Sequence, residues 1–374
     1  MIITISRTRL LNEINKISRI ISYKSPLPAL TGLLFEVKSD KLVLIGSSGT
    51  LSMQVEIKVN ESKLQIEEMG KTLIKVRFVS EVIRKIESDI IRIEVVEGSV
   101  IRINANNFDS QLNTLDVNQY PKILFDTKGQ EFIISNAVLK AIVSQVGFAI
   151  SEEERNIIFT GIHFLFSKGK LKVTATDSFR LASKEINFPY YSEDDYEVII
   201  PGKVIQEVNK ISEKNNDVTI IIINERNVVF KVNNTILQSK IIDGKYPNIN
   251  KIIPESYNSK IVINNRDLLN AIDRASVLSH EISNTTIKLN ISNDKIKVES
   301  SSSEIGNSNE HLSKFQLSGD IMNIAFRSQY MLDAIRAFKT NDLNINLTAE
   351  DKPIIITSDE EPTLLQLVLP MRTY

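Results

Sequence analysis

The side chains able to carry chemistry are few in this chain, and their spacing assembles no familiar reaction. The 3 histidines, His163, His280 and His311, lie far apart in sequence, without the close spacing of metal ligands. His163 stands in Ile162-His163-Phe164-Leu165-Phe166, a strand-like run, and reads as a packed or edge histidine. There is no cysteine, which removes thiolate nucleophiles, thiolate metal sites and disulfides. Asp194-Asp195 has the composition of a general acid–base pair, but it follows Tyr191-Ser192-Glu193 in a polar stretch that reads as a solvated loop. Neither a phosphate-cradling glycine-rich loop nor a nucleophile elbow occurs, and glycine is scarce at 13 residues. These absences predict a protein that is not an enzyme and needs no metal and no cofactor.

What remains is charge. The formal net charge is −1, whereas a nucleic-acid binder is ordinarily basic. Distribution therefore matters more than the total. Segment 7–20 carries Arg7, Arg9, Lys16 and Arg19 against Glu13 alone. Segment 327–339 carries Arg327, Arg336 and Lys339 against Asp333. Segments 135–148 and 202–214 add a small excess of lysine, so the helical segments are basic and the remainder is acidic. Gathered on one surface, these cations would attract phosphate without reading sequence and with strong salt dependence. Ordinary solvated helix faces give the same counts.

The elements that must position these residues repeat. The pattern apolar-apolar-x-x-apolar recurs as Leu10-Leu11…Ile14, Val82-Ile83…Ile86, Val138-Leu139…Ile142, Val204-Ile205…Val208, Leu268-Leu269…Ile272 and Met331-Leu332…Ile335. Each copy has helical spacing, so its apolar residues share a face. Ser6, Ser80, Ser135, Ser328 and Asn264 or Asn265 precede these runs as candidate caps, and Pro201-Gly202 opens the fourth. Period-two runs follow most helices, such as Ile91–Val95, Val218–Ile223, Val228–Val232, Ile287–Ile291 and Leu343–Leu347. Short strands precede the odd-numbered helices at 2–5, 131–134 and 260–263, about 130 residues apart, a spacing that signals an internal repeat. The reading is an α+β fold of three similar domains, 1–126, 127–257 and 258–374, each with two helices packed on antiparallel sheet. Ser300 through Ser308 breaks the pattern and reads as an exposed polar loop. The 42% apolar share suffices for real cores. Met1–Ser6 lacks the character of a signal peptide, and no apolar run could span a bilayer, so a soluble, cytoplasmic protein without membrane contact is expected.

Three strings then combine with the repeat: Ala175-Thr176-Asp177-Ser178-Phe179-Arg180-Leu181-Ala182, Ile242-Asp243-Gly244-Lys245-Tyr246-Pro247, and the terminal Leu369-Pro370-Met371-Arg372. In this order they resemble the bacterial DNA polymerase III beta subunit family, the sliding clamps, and the similarity covers the whole chain. The resemblance implies a head-to-tail homodimer closing into a ring of six similar domains, the closed case of a heterologous interface. Helices would line the hole, and duplex DNA would thread it independently of sequence. By position, Arg7, Arg9, Lys16, Arg19, Lys24, Arg77, Arg84, Lys203, Lys210, Arg274, Arg336 and Lys339 would face DNA. The resemblance also implies a pocket for short linear peptides from the DNA polymerase III alpha subunit, the clamp loader delta subunit, other polymerases and repair proteins. Matching positions are Phe159, Thr176, Ser178, Phe179, Arg180, Leu181, Pro247, Lys251, Ile252, Pro353, Leu367, Val368, Leu369, Pro370, Met371 and Arg372. Met371 suits a surface serving several ligands because its side chain is adaptable. The run Leu364–Leu369 predicts a last strand that holds the tail down.

The chain departs from the family pattern in places. Ser178-Phe179 stands where Gly-His is common. The dimer edge has Ser110 where a large apolar residue is common, with Leu112 beside it and Val277-Leu278 opposing it. A second reading, from a different class, is a non-enzymatic protein-interaction scaffold that does not encircle DNA.

Overall fold

Short amphipathic helices alternate with period-two strands, and antiparallel sheets result throughout. The computed structural model describes residues 1–59, 62–96, 99–212, 217–277, 286–302 and 305–371. The first repeat runs β1 (Ile2–Ser6), α1 (Arg7–Ser18), β2 (Gly32–Val37), β3 (Lys41–Ser47), β4 (Leu51–Lys58), β5 (Gln65–Glu68), β6 (Gly70–Lys75), α2 (Val76–Lys85), β7 (Ile90–Val96), β8 (Val100–Ala105) and β9 (Phe108–Asn113). The second runs β10 (Gln130–Ser135), α3 (Asn136–Gln145), β11 (Gly161–Ser167), β12 (Lys170–Thr176), β13 (Arg180–Asn187), β14 (Tyr196–Pro201), α4 (Gly202–Ile211), β15 (Val218–Ile223), β16 (Asn227–Val232) and β17 (Thr235–Lys240). The third runs β18 (Ser259–Asn264), α5 (Asn265–Ser276), β19 (Thr286–Ile291), β20 (Ile296–Ser302), β21 (Gly306–Leu312), β22 (Phe315–Gly319), β23 (Met322–Arg327), α6 (Ser328–Arg336), β24 (Asp342–Leu347), β25 (Ile354–Thr357) and β26 (Leu364–Val368). The short strands expected before the odd helices are β1, β10 and β18.

The chain packs as two compact units, Met1–Ala137 with Glu207–Ile241 and Val138–Gln206 with Ile242–Tyr374. In the first, one sheet has the order β5-β1-β7-β8-β9 and the other β10-β15-β16-β17-β4-β3-β2-β6. β17 pairs with β4 from Thr235↔Val55 to Ser239↔Leu51, so strands of the second repeat extend a sheet of the first. α1 buries Leu10, Ile14 and Ile17 completely. Its close approach to β3 requires Gly46, where a Cβ would come within 2.3 Å of Ile17 Cγ2. α2 packs beside α1 and buries Val76, Val79 and Ile83.

In the second unit the sheets have the orders β14-β11-β12-β13-β26-β25-β24-β18-β22 and β21-β20-β19-β23. α5 and α6 pack together over a core that includes Leu268, Ile272, Phe326, Leu332, Ile335 and Val368. Asn264 caps α5 by accepting from the amides of Arg266 and Asp267.

The structure departs from the sequence expectation at the serine-rich stretch and at three candidate caps. The serine-rich stretch is not a loop: β20 and β21 form a hairpin paired from Ile296↔Leu312 to Ser302↔Gly306, and 303–304 lie outside the described residues. Ser300 is buried and its hydroxyl donates to Ala275 O, so tertiary partners override a weak strand propensity. Ser80 is not a cap, because α2 begins at Val76 and Ser80 lies a turn inside it. At the cap position of α1, Ser6 makes no side-chain capping bond, and at that of α6 stands Arg327, with Ser328 the first helical residue.

Candidate functional site

An apolar cluster gathers in the second unit where β13 pairs with β26. The β12–β13 turn makes its wall, and the turn is held by its own polar side chains. Thr176 Oγ1 donates to Arg180 O at 2.7 Å. Asp177 Oδ1 accepts from the amides of Phe179 and Arg180, both at 2.9 Å, and its Oδ2 accepts from Arg180 Nε at 2.9 Å. Ser178 carries a φ of 77°, the left-handed region that costs a side-chain-bearing residue. That conformation explains a preference for glycine at this position.

The turn is then clamped to α6. Arg180 Nη1 donates to Asp333 Oδ2 at 2.6 Å. The Arg180 guanidinium lies 4.7 Å from the Tyr330 ring centroid and 5.3 Å from that of Phe148, cation–π geometry on both sides. Phe179 stacks on Tyr330 with centroids 6.3 Å apart, and Arg327 Nη1 donates to the Tyr330 hydroxyl at 2.9 Å. These contacts fix the turn while leaving the Phe179 ring 55% exposed.

The floor is a packed cluster of Leu181, Ile199, Ile242, Tyr246, Ile249, Ile355 and Leu367, with Phe159, Ile158, Ile253 and Leu369 against it. Tyr246 is wedged edge-on to Phe159 and stacked on His163, whose ring lies 4.8 Å away. Burial pushes the Tyr246 phenol well above its ordinary range. Burial pushes the His163 imidazole down, opposed by its hydrogen bond with Glu197. A stacked histidine under the floor matches the packed role expected for it.

The tail closes the other side. Leu369 N donates to Phe179 O at 2.9 Å and Met371 N to Ala325 O at 2.7 Å, so the end of the described chain is anchored at two points. Beyond it lies a cavity of about 430 Å³ lined by Ile324, Ala325, Asn323, Lys288, Asn290, Glu350 and Asp351 together with Leu369, Pro370 and Met371.

The expected pocket residues divide by place. Phe159, Leu181, Leu367 and Leu369 lie in the floor. Thr176, Ser178, Phe179 and Arg180 form the turn, and Pro370 and Met371 the tail. Ile252 is exposed beside the short helical turn Ile249–Lys251, in the loop that also carries Pro247; Pro353 is half-buried just ahead of β25. Val368 does not face the groove: strand alternation turns it into the α5–α6 core. Arg372 lies outside the described residues. Sequence reading missed Tyr330, Phe148 and Asp333. The signal available was Asp333 itself, a lone carboxylate among cations in its segment and three residues from Tyr330, hence on one helix face.

The basic residues are less free than their counts suggest. Glu13 is fully buried in α1 and takes Arg9 Nη2 at 2.9 Å and Lys16 Nζ at 3.1 Å. Glu207 pairs with Lys210 at 2.6 Å and Arg19 at 3.8 Å. Arg274 makes a two-pronged bond to Glu310, which holds the guanidinium above its ordinary pKa, and Arg336 pairs with Asp273 at 3.0 Å. Among the described residues, Arg7, Lys24, Arg77, Arg84, Lys203 and Lys339 have no carboxylate partner; Arg7 is half-buried and the others are exposed.

The edge predicted to meet a second copy is a real sheet edge. Among the described residues β9 pairs only with β8, placing Ser110 opposite Ile103 and Leu112 opposite Ile101. Val277 is 66% exposed at the end of α5; Leu278 and His280 lie outside the described residues. β21 is likewise a sheet edge, and His311 is exposed on it. No helix among the described residues is long and apolar enough to cross a membrane, and no cluster of potential ligands there could hold a metal ion.

Family models match the chain in succession: the DNA polymerase III beta subunit N-terminal domain over residues 1–124, central domain over 133–248 and C-terminal domain over 250–372. The chain is similar to the beta sliding clamp of Staphylococcus epidermidis, 33% identical over 375 residues and 99% of each chain. It is similar to that of Bacillus subtilis at 32% identity over 375 residues, again 99% of each. The crystal structure of the DNA polymerase sliding clamp from Bacillus subtilis superposes with a TM-score of 0.95 at 32% identity, covering 100% of both chains.

Proposed function

The chain belongs to the DNA polymerase III beta subunit family, and from that premise we propose that it is a replication processivity clamp. Two copies close head to tail into a ring around duplex DNA, and the groove tethers a polymerase to it. The carrying observation is the end-to-end succession of three family domains on a fold matching a clamp over its full length. The geometry supports the reading at each part. Two unpaired sheet edges, β9 and β21, suit strand-to-strand closure between copies. Cations concentrated on helices suit sequence-independent phosphate attraction. The apolar cluster under the held β12–β13 turn, with Phe179 exposed beside it and a cavity along the tail, suits short peptides that present apolar side chains. We keep the domain limits at 126 and 257, and assign the groove the DNA polymerase III alpha subunit and the clamp loader delta subunit as partners. The clamp itself performs no chemistry; its partner does.

The test is retention after loading. A ring stays on a closed circular duplex and runs off a linear one with free ends. Equal loss from both would leave only the scaffold reading.

A further inference from the structure

We propose that His163 is a positioning residue of the peptide site: its neutral imidazole holds Tyr246 and Phe159 in place, and a proton taken up by that imidazole loosens the site and weakens peptide binding. The inference rests on the peptide-binding reading and deepens it by naming what tunes the site. Tyr246 is 5% exposed, and its hydroxyl, beside the Thr176 backbone, makes no hydrogen bond of good geometry. Contacts between rings therefore orient it. One is edge-on to Phe159, with centroids 6.2 Å apart. The other is the His163 imidazole, 4.8 Å away and within 4° of parallel. Edge-on and offset parallel pairs are the favoured aromatic geometries. A displaced imidazole would thus disturb Tyr246 and, through it, the apolar cluster to which both Tyr246 and Phe159 belong.

His163 is itself placed by its neighbours. β11 carries it opposite Thr174 of β12 and Ile199 of β14. Its Nε2 lies 3.1 Å from Glu197 Oε2 of β14. A carboxylate only accepts, so Nε2 carries the proton of the neutral ring and Nδ1 is the atom left to take another. The charged groups acting on it are Glu197, which favours the imidazolium, and Lys172 of β12, which opposes it. Tyr246 faces it from the loop after β17. Lys172 is held in turn: its Nζ donates to Asn250 Oδ1 at 3.1 Å, in the Ile249–Lys251 turn beside the same cluster. Only 13% of the His163 side chain is exposed, and burial outweighs the carboxylate, holding the imidazole below its ordinary range. The packed stack is therefore complete above the ordinary histidine pKa of about 6.5 and loses stability as pH falls below it. A peptide covering the cluster takes further water from the imidazole and deepens its preference for the neutral form. Peptide and proton then oppose each other reciprocally.

The experiment is titration calorimetry on the full-length chain from about pH 7.5 to about pH 5.5, the range in which histidine titrates. The probe is a capped peptide of leucine, serine and phenylalanine, which has no titratable group. Native affinity should fall about 3- to 10-fold across that range, since one proton can shift it by at most about tenfold per pH unit. His163→Phe keeps an aromatic ring against Tyr246 and cannot titrate. It should match the native chain at neutral pH and give a flat profile. His163→Leu loses the stack and should bind about 2- to 10-fold more weakly than the native chain at neutral pH. Glu197→Gln removes the carboxylate that favours the imidazolium, so the fall should move to lower pH. Thermal melts check folding, and the phenylalanine and glutamine variants carry the test should His163→Leu melt early. His163→Phe losing affinity with acid as steeply as the native chain, or a folded His163→Leu binding as tightly as it, overturns the inference and leaves the peptide site standing. A native chain that binds no peptide at any pH removes the peptide reading, and this inference with it.

Discussion

Replacing Glu207 by glutamine should strengthen DNA binding through cations that the native protein keeps occupied. Glu207 holds Lys210 at 2.6 Å and Arg19 at 3.8 Å. The amide keeps the shape and a hydrogen bond but releases both charges. Each cation that neutralises a phosphate contributes about −0.9 to the slope of log K against log salt. Two released cations should therefore steepen the slope by up to about 1.8, so that between 50 and 200 mM salt Glu207→Gln loses about twelvefold more affinity than the native chain. The assay is fluorescence anisotropy of a short labelled duplex across that range. Asp195→Asn supplies the control, since it makes the same change in formal charge in an exposed loop before β14. Equal slopes for Glu207→Gln and the native chain would refute the placement of Arg19 and Lys210 toward DNA. A control that steepens the slope as much would mean that net charge, not these two residues, sets the effect.

Removing either ring of the Phe179–Tyr330 stack should weaken an aliphatic–aromatic partner peptide by about 1–2 kcal/mol, roughly 5- to 30-fold, read by isothermal titration calorimetry. Ser178→Gly should raise stability by about 0.5–1 kcal/mol, because relief of the left-handed strain exceeds the added freedom of the unfolded chain. A thermal melt checks this, and an unchanged or lower midpoint would contradict strain at that turn. Truncation before Leu369 removes both backbone anchors of the tail and should abolish peptide binding without altering sedimentation; unchanged affinity would discard the groove as the binding site.

The fold was legible wherever a period could be counted. The odd helices and the strands leading into them follow from apolar spacing alone, and the last strand from Leu364–Val368. The β20–β21 hairpin was not, because serine and asparagine carry no apolar alternation, and Ser300 is held by a bond to Ala275 from a different element. Of the residues that the structure gathers around β13 and β26, those contiguous in sequence lie within the strings. Tyr330, Phe148 and Asp333 do not, since they come from α6 and from the segment after α3, and only the fold brings them to Arg180. Val368 was over-assigned for the opposite reason: a string treats neighbours alike, whereas a strand sends them to opposite faces. Glu13 shows the same limit for charge. A count sees one acid among four bases, but only the structure reveals that it is buried and occupies two of them.

That occupancy bears on how such a surface would work. A protein that held DNA by contact alone would gain from every free cation, and burying a carboxylate among them would cost affinity. A ring holds by enclosure, so tight phosphate contacts would only resist movement along the duplex. On the proposed reading, Glu13, Glu207, Asp273 and Glu310 then have a use: each draws helix cations into internal pairs, leaving a thinner set of free charges such as Arg77, Arg84 and Lys203. Weak, replaceable attraction centres the duplex without gripping it. The groove shows the contrary arrangement. Its wall is fixed by bonds from Thr176, Asp177 and Arg180, so little ordering remains to be done when a peptide arrives. On that reading, the helix cations would be left loose for a ligand that must slide, and the held turn preorganised for a ligand that must stay.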